Sequence, residues 1–254
     1  MSDSFLFDIY KLSNPEISEY LTLESTADNC EVRFPLNNAG ALGCYIECST
    51  DGTNWTQYDS QNGDNITGVL LATLNTGDKL YLRSKAESNT PSKYTLIRAH
   101  ITCSQDCYIY GNLISLYDKT NFRECYTCND YGYFKGVFKN NTHIINHPNK
   151  KLVMPFIKLY IAPNDAANSM FNSMFEGCTG LTSAPDIIAR TLHSNHFKRM
   201  FYGCTNLNYI KCLSVNGSSS DWLTNVASSG LCIKSVSLNR SNLGLPSSWT
   251  VQDA

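Results

Sequence analysis

Charge is scarce in this chain. Asp, Glu, Lys and Arg make up 17% of its 254 residues, and the formal net charge is −2. A nucleic-acid footprint needs a basic stripe, which this balance excludes. Long hydrophobic runs are missing too. The longest candidate, 152–162, falls short of the roughly 18 apolar residues that span a bilayer, and it contains Pro155 and Lys158. A secretory leader is not expected, because Met1-Ser2-Asp3-Ser4-Phe5 has no basic start and Asp3 and Asp8 break any apolar core. The expectation is a soluble protein made in a cytoplasm. Motifs of chemistry are also lacking: there is no Gly-x-Ser-x-Gly elbow, no phosphate-binding loop and no His-Glu-x-x-His pair. The surface must lean on Ser, Thr, Asn and Tyr.

Cysteine is abundant, but its pattern excludes a disulfide framework. There are 11 cysteines, an odd number, and no leader is expected to carry them into an oxidising compartment. They read as free thiols that pack as small hydrophobes. Cys125-Tyr126-Thr127-Cys128 is a Cys-x-x-Cys, yet a zinc site needs a second pair. Cys103 and Cys107 have three residues between them. His143 and His147 are four apart, but Pro148 adjoins and the surroundings read as loop and strand. A redox thiol pair would want a βαβ context. Asp and Glu are sparse in the second half, against the carboxylate pair of a glycoside hydrolase. No catalytic, cofactor-binding or metal residue is therefore assigned, no cofactor is expected, and the binding residues stay unassigned. The glycosylation-type triplets at Asn54, Asn65 and Asn140 carry no weight where no leader is expected. Fifteen tyrosines suit wet contact surfaces as well as β-strands.

Hydropathy divides the chain into three. Residues 1–19 form an arm: Phe5, Phe7, Ile9 and Leu12 alternate with polar residues until Asn14-Pro15, which predicts an extended segment able to dock on another chain. Residues 20–110 read as all-β. Cys30, Val32 and Phe34 share one strand face, and Cys44, Ile46 and Cys48 share another. Asp51-Gly52 predicts a tight hairpin turn with Trp55 opening the return strand. Asn75-Thr76-Gly77-Asp78 marks a turn before Leu80 and Leu82, and Ile97, Ala99, Ile101 and Cys103 alternate again. Short strands at this spacing predict a β-sandwich.

The region 111–254 carries a repeat. Met174-Phe175-Glu176-Gly177-Cys178-Thr179-Gly180-Leu181 and Met200-Phe201-Tyr202-Gly203-Cys204-Thr205-Asn206-Leu207 share Met-Phe-x-Gly-Cys-Thr-x-Leu and start 26 residues apart. Such units cannot bury their apolar faces alone and must stack. Each is expected to be a helix, a glycine cap and a short strand. Pro163-Asn164-Asp165 would start the first helix, with Met170, Phe171, Met174 and Phe175 on its inner face. Phe197, Met200 and Phe201 form the second face, and Leu207, Tyr209, Ile210 and Cys212 its strand. Gly177 and Gly203 are expected in the left-handed region. A degenerate unit begins at Val137, with Asn140 at the cap, and the extra length before the next unit predicts an insertion around Lys150 to Tyr160. After Cys212 the rhythm fades, as terminal repeats do. Cys178 and Cys204 occupy equivalent positions, as packing residues should.

Met174 to Pro185 resembles BspA-type leucine-rich repeats, which abound in surface and phage proteins of gut bacteria. Asn208-Tyr209-Ile210-Lys211-Cys212-Leu213, Trp222, Gly230 and Leu245-Pro246-Ser247-Ser248-Trp249-Thr250-Val251 are similar to that family's C-terminus. Gly111-Asn112-Leu113-Ile114-Ser115-Leu116 looks like its join between head domain and repeats, and Asp51-Gly52-Thr53-Asn54-Trp55-Thr56 resembles a hairpin of its N-terminal module. The resemblance covers roughly 43–254 and is specific only from 111 onward. The resulting expectation is an α+β protein: an arm (1–19), a β-sandwich (20–110) and a short leucine-rich-repeat-like α/β solenoid with a C-terminal cap (111–254). The resemblance implies a non-enzymatic virion-surface protein of a tailed phage such as the crAss-like group, assembled in the host cytoplasm. Its expected partners are other virion proteins met through 1–19, copies of itself (a trimer) and a bacterial-surface or mucus glycan. The alternative is a bacterial cell-surface adhesin.

Overall fold

A computed structural model of the chain describes residues 10–12, 14–34, 45–59, 68–85, 100–125, 127–128, 133–154, 158–159, 170–189, 191–192, 195–219 and 221–254. Among these the protein is β-rich. Its helical pieces are single turns, at 10–12, Pro15–Ser18, Leu113–Leu116 and Arg240–Leu243.

Eight strands come first: β1 (Leu21–Ser25), β2 (Cys30–Phe34), β3 (Tyr45–Ser49), β4 (Thr56–Asp59), β5 (Val69–Leu74), β6 (Lys79–Ser84), β7 (Thr102–Cys103) and β8 (Cys107–Asn112). They form an antiparallel sheet in the order β8-β1-β6-β3-β4 and a smaller antiparallel sheet β5-β2-β7. The period of two puts Cys30, Val32 and Phe34 inward while Glu31 and Arg33 stay half-exposed. Ile46, Cys48, Leu80, Leu82, Ile101 and Cys103 are buried as expected, in one apolar cluster that draws on both sheets. Cys44, Ile97 and Ala99 lie outside the described residues.

The Asp51-Gly52 connection is longer than the tight turn expected. Cys48 pairs with Thr56, and Trp55 stays just outside the return strand. Asp51 holds this loop, its Oδ1 accepting from the Thr53 and Asn54 amides at 2.8 and 2.7 Å. A short polar side chain that bonds the backbone two and three residues on stabilises a wider loop than a two-residue turn.

Beyond residue 112 the strands pair in parallel: β9 (Thr127–Cys128) with β12 (Lys158–Leu159), β13 (Thr191–Leu192) with β15 (Asn216–Gly217), and β14 (Tyr209–Cys212) with β16 (Leu231–Lys234) and then β17 (Thr250–Asp253). β10 (Ile144–Asn146) and β11 (Leu152–Val153) pair with β8 itself. The expected boundary at 110/111 therefore falls inside a strand shared by both halves, and the apolar cluster runs through it unbroken. Gly111 makes this junction. Its φ is +87°, and a Cβ there would lie 2.1 Å from the Tyr20 carbonyl oxygen. Asn112 then bonds the carbonyls of Ile17 and Phe122 and accepts from the Ile114 amide.

The repeat units are not helices. Each carries two left-handed residues four apart: Gly136 and Asn140, Ser173 and Gly177, Arg199 and Gly203, Asp221 and Asn225, with φ between 54° and 74°. Two positive φ values in five residues cannot belong to an α-helix. The chain makes tandem turns instead, Met174 N–H to Phe171 O at 3.1 Å and Cys178 N–H to Phe175 O at 3.0 Å. A positive φ at the third residue of each is the type II arrangement. The amides left over bond the next coil, not the same one: those of Phe171, Ser173, Phe175 and Gly177 donate to His196, Lys198, Met200 and Tyr202 at 2.8–2.9 Å. The preceding coil repeats this with Phe134, Gly136, Phe138 and Asn140, and the following one with Phe201 and Gly203, which donate to Trp222 and Thr224. Asn140, Gly177 and Gly203 thus take the left-handed geometry expected of them, though within turns. A fourth unit at 221–225 extends the repeat beyond Cys212. The proposed helix start at Pro163-Asn164-Asp165 lies outside the described residues.

Candidate functional site

Stacking in register turns the sequence repeat into side-chain ladders. Phe138, Phe175 and Phe201 stack at 5.5 and 5.6 Å, within 5° of parallel. Phe134, Phe171 and Phe197 form a second ladder beside it at 5.5 Å. Trp222 lies against the last ring of both, fully buried, with its Nε1–H on the Leu243 carbonyl at 2.6 Å. Val137, Met174 and Met200, at equivalent positions of their coils, belong to the same core and are also fully buried.

The cysteines of the repeat are built into this interior. Cys178 donates from Sγ to the Phe138 carbonyl at 3.0 Å, and Cys204 to the Phe175 carbonyl at 2.9 Å. Asn141 stands at the same position one coil earlier and bonds the Ile101 carbonyl. Burial pushes the Cys178 thiol well above its ordinary value and that of Cys204 up to about 12. Both are therefore thiols, not thiolates, at neutral pH, and a thiol is a poor nucleophile. Nine described cysteines stand outside any disulfide. Cys125 is half-buried, and the Cys128 side chain lies outside the described residues. His143 and His147 are not brought together as ligands. His143 Nδ1 bonds Asp106 at 2.9 Å, whereas His147 Nδ1 accepts the Asn149 and Lys150 amides at 3.0 Å. Among the described residues no group of three or more His, Cys, Asp or Glu side chains could hold a metal ion.

Outside the ladders, Glu176 is 10% exposed and gathers cations from both neighbouring coils. Arg199 grips it through two nitrogens at 2.7 and 3.2 Å, and Lys139 lies 3.3 Å away. Burial works against its charge, but the Arg199 and Ser173 hydrogen bonds and Lys139 prevail, and the carboxyl sits below its ordinary range. Arg199 also lies 3.9 Å over the Tyr202 ring.

A cleft of about 310 Å³ opens where the N-terminal segment crosses the start of the coils. It is lined by Tyr10 and Asn14, by the loop around His147, Asn149 and Lys151, and by Asp186, Tyr209 and Lys211. Residues 10–19 form its wall because they are fastened to this chain. Tyr10 and Ile17 pack on Val153, Lys11 reaches Glu124 at 2.6 Å, and Glu19 reaches Lys150 at 3.0 Å. The segment is thus two helical turns around Asn14-Pro15, not the extended strand expected up to that point. Phe5, Phe7 and Ile9 lie outside the described residues, and Leu12 is exposed. Burial, followed by the nearby Asp186 and Glu16 carboxylates, pushes the Tyr10 phenol up, so it stays a neutral donor. Lys211 pairs with Asp186 at 3.3 Å, and among the described residues no ion pair occupies Lys151. Sequence reasoning did not find this cleft, because its walls are far apart in the chain and share no motif.

The size is at the small end of ligand sites, and the lining mixes the tyrosines Tyr10 and Tyr209 with amide, carboxylate and ammonium side chains. That chemistry suits a small polar ligand. Compared with family models, with curated proteins and with solved structures, the chain matches none.

Proposed function

We propose that this chain is a non-enzymatic structural protein of a phage particle, displayed on its surface as a head fibre or tail-associated appendage and used for attachment. The observation that carries the reading is the use made of the repeats. Their cysteines, Cys178 and Cys204, are buried thiols that bond one coil to the next. What the coils turn outward at one equivalent position is Lys135, Asn172 and Lys198, a polar residue in each coil, and such spaced rows are how stacked repeats serve as binding scaffolds. Free buried thiols fit assembly in a reducing host cytoplasm. We read the two sheets as a β-sandwich, supported by their common core, and the coils as a short leucine-rich-repeat-like solenoid, supported by the repeat pattern. Other virion proteins would meet the segment 1–19, copies of the chain would form a trimer, and the cleft beside Tyr10 would take a surface or mucus glycan.

Mass spectrometry of purified particles from the phage that encodes the chain tests this reading. The chain should be present at a stoichiometry of many copies, and surface proteolysis of intact particles should release peptides from 195–254. Its absence from the particles would overturn the proposal, and its recovery on the bacterial envelope instead would favour an adhesin.

A further inference from the structure

Two thiols from different sheets touch. Cys30 opens β2 in the smaller sheet and Cys107 opens β8 in the larger one, and their sulfurs are 3.4 Å apart. Both residues are fully buried. A disulfide needs about 2.05 Å, so closure requires the two sulfurs to approach by roughly 1.4 Å. Nothing in the packing of the ladders uses this pair, and it stands apart from the repeat cysteines.

Its position gives an oxidant a way in. Cys30 follows the exposed turn Asp28-Asn29, and Cys107 follows the exposed Ser104-Gln105-Asp106 loop. The Cys30 thiol also lies 3.6 Å from the Gln105 carbonyl. A few hydrogen bonds hold these loops together, such as Ser104 N–H to Glu31 O and Thr26 N–H to Asp106 O. Local opening at the rim would expose the pair without unfolding either sheet.

We propose that Cys30 and Cys107 are an oxidative cross-linking site, which closes into an inter-sheet disulfide when the protein meets a small-molecule disulfide outside a reducing cytoplasm. One thiol loses its proton and attacks the small disulfide, forming a mixed disulfide and releasing one small thiol. The second thiol, deprotonated in turn, attacks the protein sulfur of that intermediate and releases the other. The two cysteines lose two electrons and two protons, and the small disulfide gains them as two thiols. The hydrogen bond to Cys107 and then burial push the Cys30 thiol up, while Cys103 and burial push Cys107 up against the opposing effect of its bond to Cys30. Closure is consequently slow at neutral pH and faster at alkaline pH. The bond would staple residues 77 apart in sequence, a long loop whose closure stabilises strongly.

Cys103 is the competitor, since it is buried in the same apolar cluster as Cys107 and its thiol helps to hold the Cys107 pKa up. It also receives the Asn141 amide at 3.5 Å, from the side of the coils. The test is incubation of the full chain with oxidised glutathione at pH 8.5, followed by alkylation under denaturing conditions and peptide mapping without reduction. The expected product is a Cys30–Cys107 cross-linked peptide, with a loss of about 2 Da and a melting temperature raised by roughly 10 °C, both reversed by dithiothreitol. Cys103→Ser should keep the cross-link, and Cys30→Ser should abolish it. A map showing Cys103 bonded to Cys107, or Cys30 and Cys107 both fully alkylated after oxidation, would overturn the proposal. Mapping the unaltered protein decides the matter even if a variant fails to fold.

Discussion

The rings of Phe175 and Phe201 lie 5.6 Å apart and 4° from parallel, one coil above the other. Neither ring could be buried by its own unit, so the contact makes the stability of each coil depend on the next. Phe201 has Phe175 on one side and Trp222 on the other. Phe201→Ala should cost about 3–5 kcal/mol, because a full ring leaves a cavity the ladder cannot collapse into. Calorimetry should show the melting temperature falling by roughly 10 °C. Phe201→Leu should lose far less, since it keeps most of the apolar volume.

The left-handed positions give a sharper test of register. Residues 140, 177, 203 and 225 are Asn, Gly, Gly and Asn, all with positive φ. A Cβ at Gly203 would meet no atom closer than 3.8 Å, so the demand there is conformational, not steric. Gly203→Asn should therefore be tolerated within about 1 kcal/mol, because Asn enters this region readily. Gly203→Val should cost about 2 kcal/mol or more, since a β-branched side chain resists it. Equal effects of the two substitutions on a urea midpoint would contradict the assigned turn geometry.

Much of this was legible before the structure. The eight-residue pattern gave the buried positions, the left-handed glycines and the packing role of Cys178 and Cys204, because each coil repeats the same environment. The secondary structure between them was misread. Met170, Phe171, Met174 and Phe175 have helical spacing, yet tandem turns place residues four apart on one side as well. Ser173 and Arg199 show no sign in their side chains that they sit at positive φ. Asp221 and Asn225, four apart and both at ease in that region, were the available signal for the fourth unit. The cleft had none, because its contacts join residue 10 to residue 211 through the fold alone.

The thiols separate by access. Cys125 is half-buried, while Cys178 and Cys204 are fully buried with raised pKa values. Treatment of the native chain with iodoacetamide at pH 7.5 should label Cys125 well before either repeat cysteine. Labelling of Cys178 or Cys204 at a comparable rate, read from peptide masses, would mean that the coils open easily and that these thiols are not interior groups.

Glu176 makes stability depend on pH in a definable direction. Its folded pKa is depressed below the ordinary value of 4.5. Its contribution is thus fully present above about pH 5 and is lost as the pH falls through the folded value. His100 lies close enough to feel both Lys139 and Glu176, and burial first, then Lys139, holds its pKa below 6.5. It too lowers stability on acidification, but it begins nearer neutrality. Comparing variant with parent isolates the carboxylate. Glu176→Gln keeps the side chain's shape but removes the charge gripped by Arg199 and Lys139, both of them more than a third exposed at their own ends. At pH 7 the substitution should cost about 1 kcal/mol, discounted for that exposure. As the pH falls below 4.5 and through the folded value, the difference between the two proteins should shrink toward zero, because the parent's carboxyl then takes up its proton. A gap between the urea midpoints that stays constant from pH 7 to pH 3 would show that the interaction is not electrostatic.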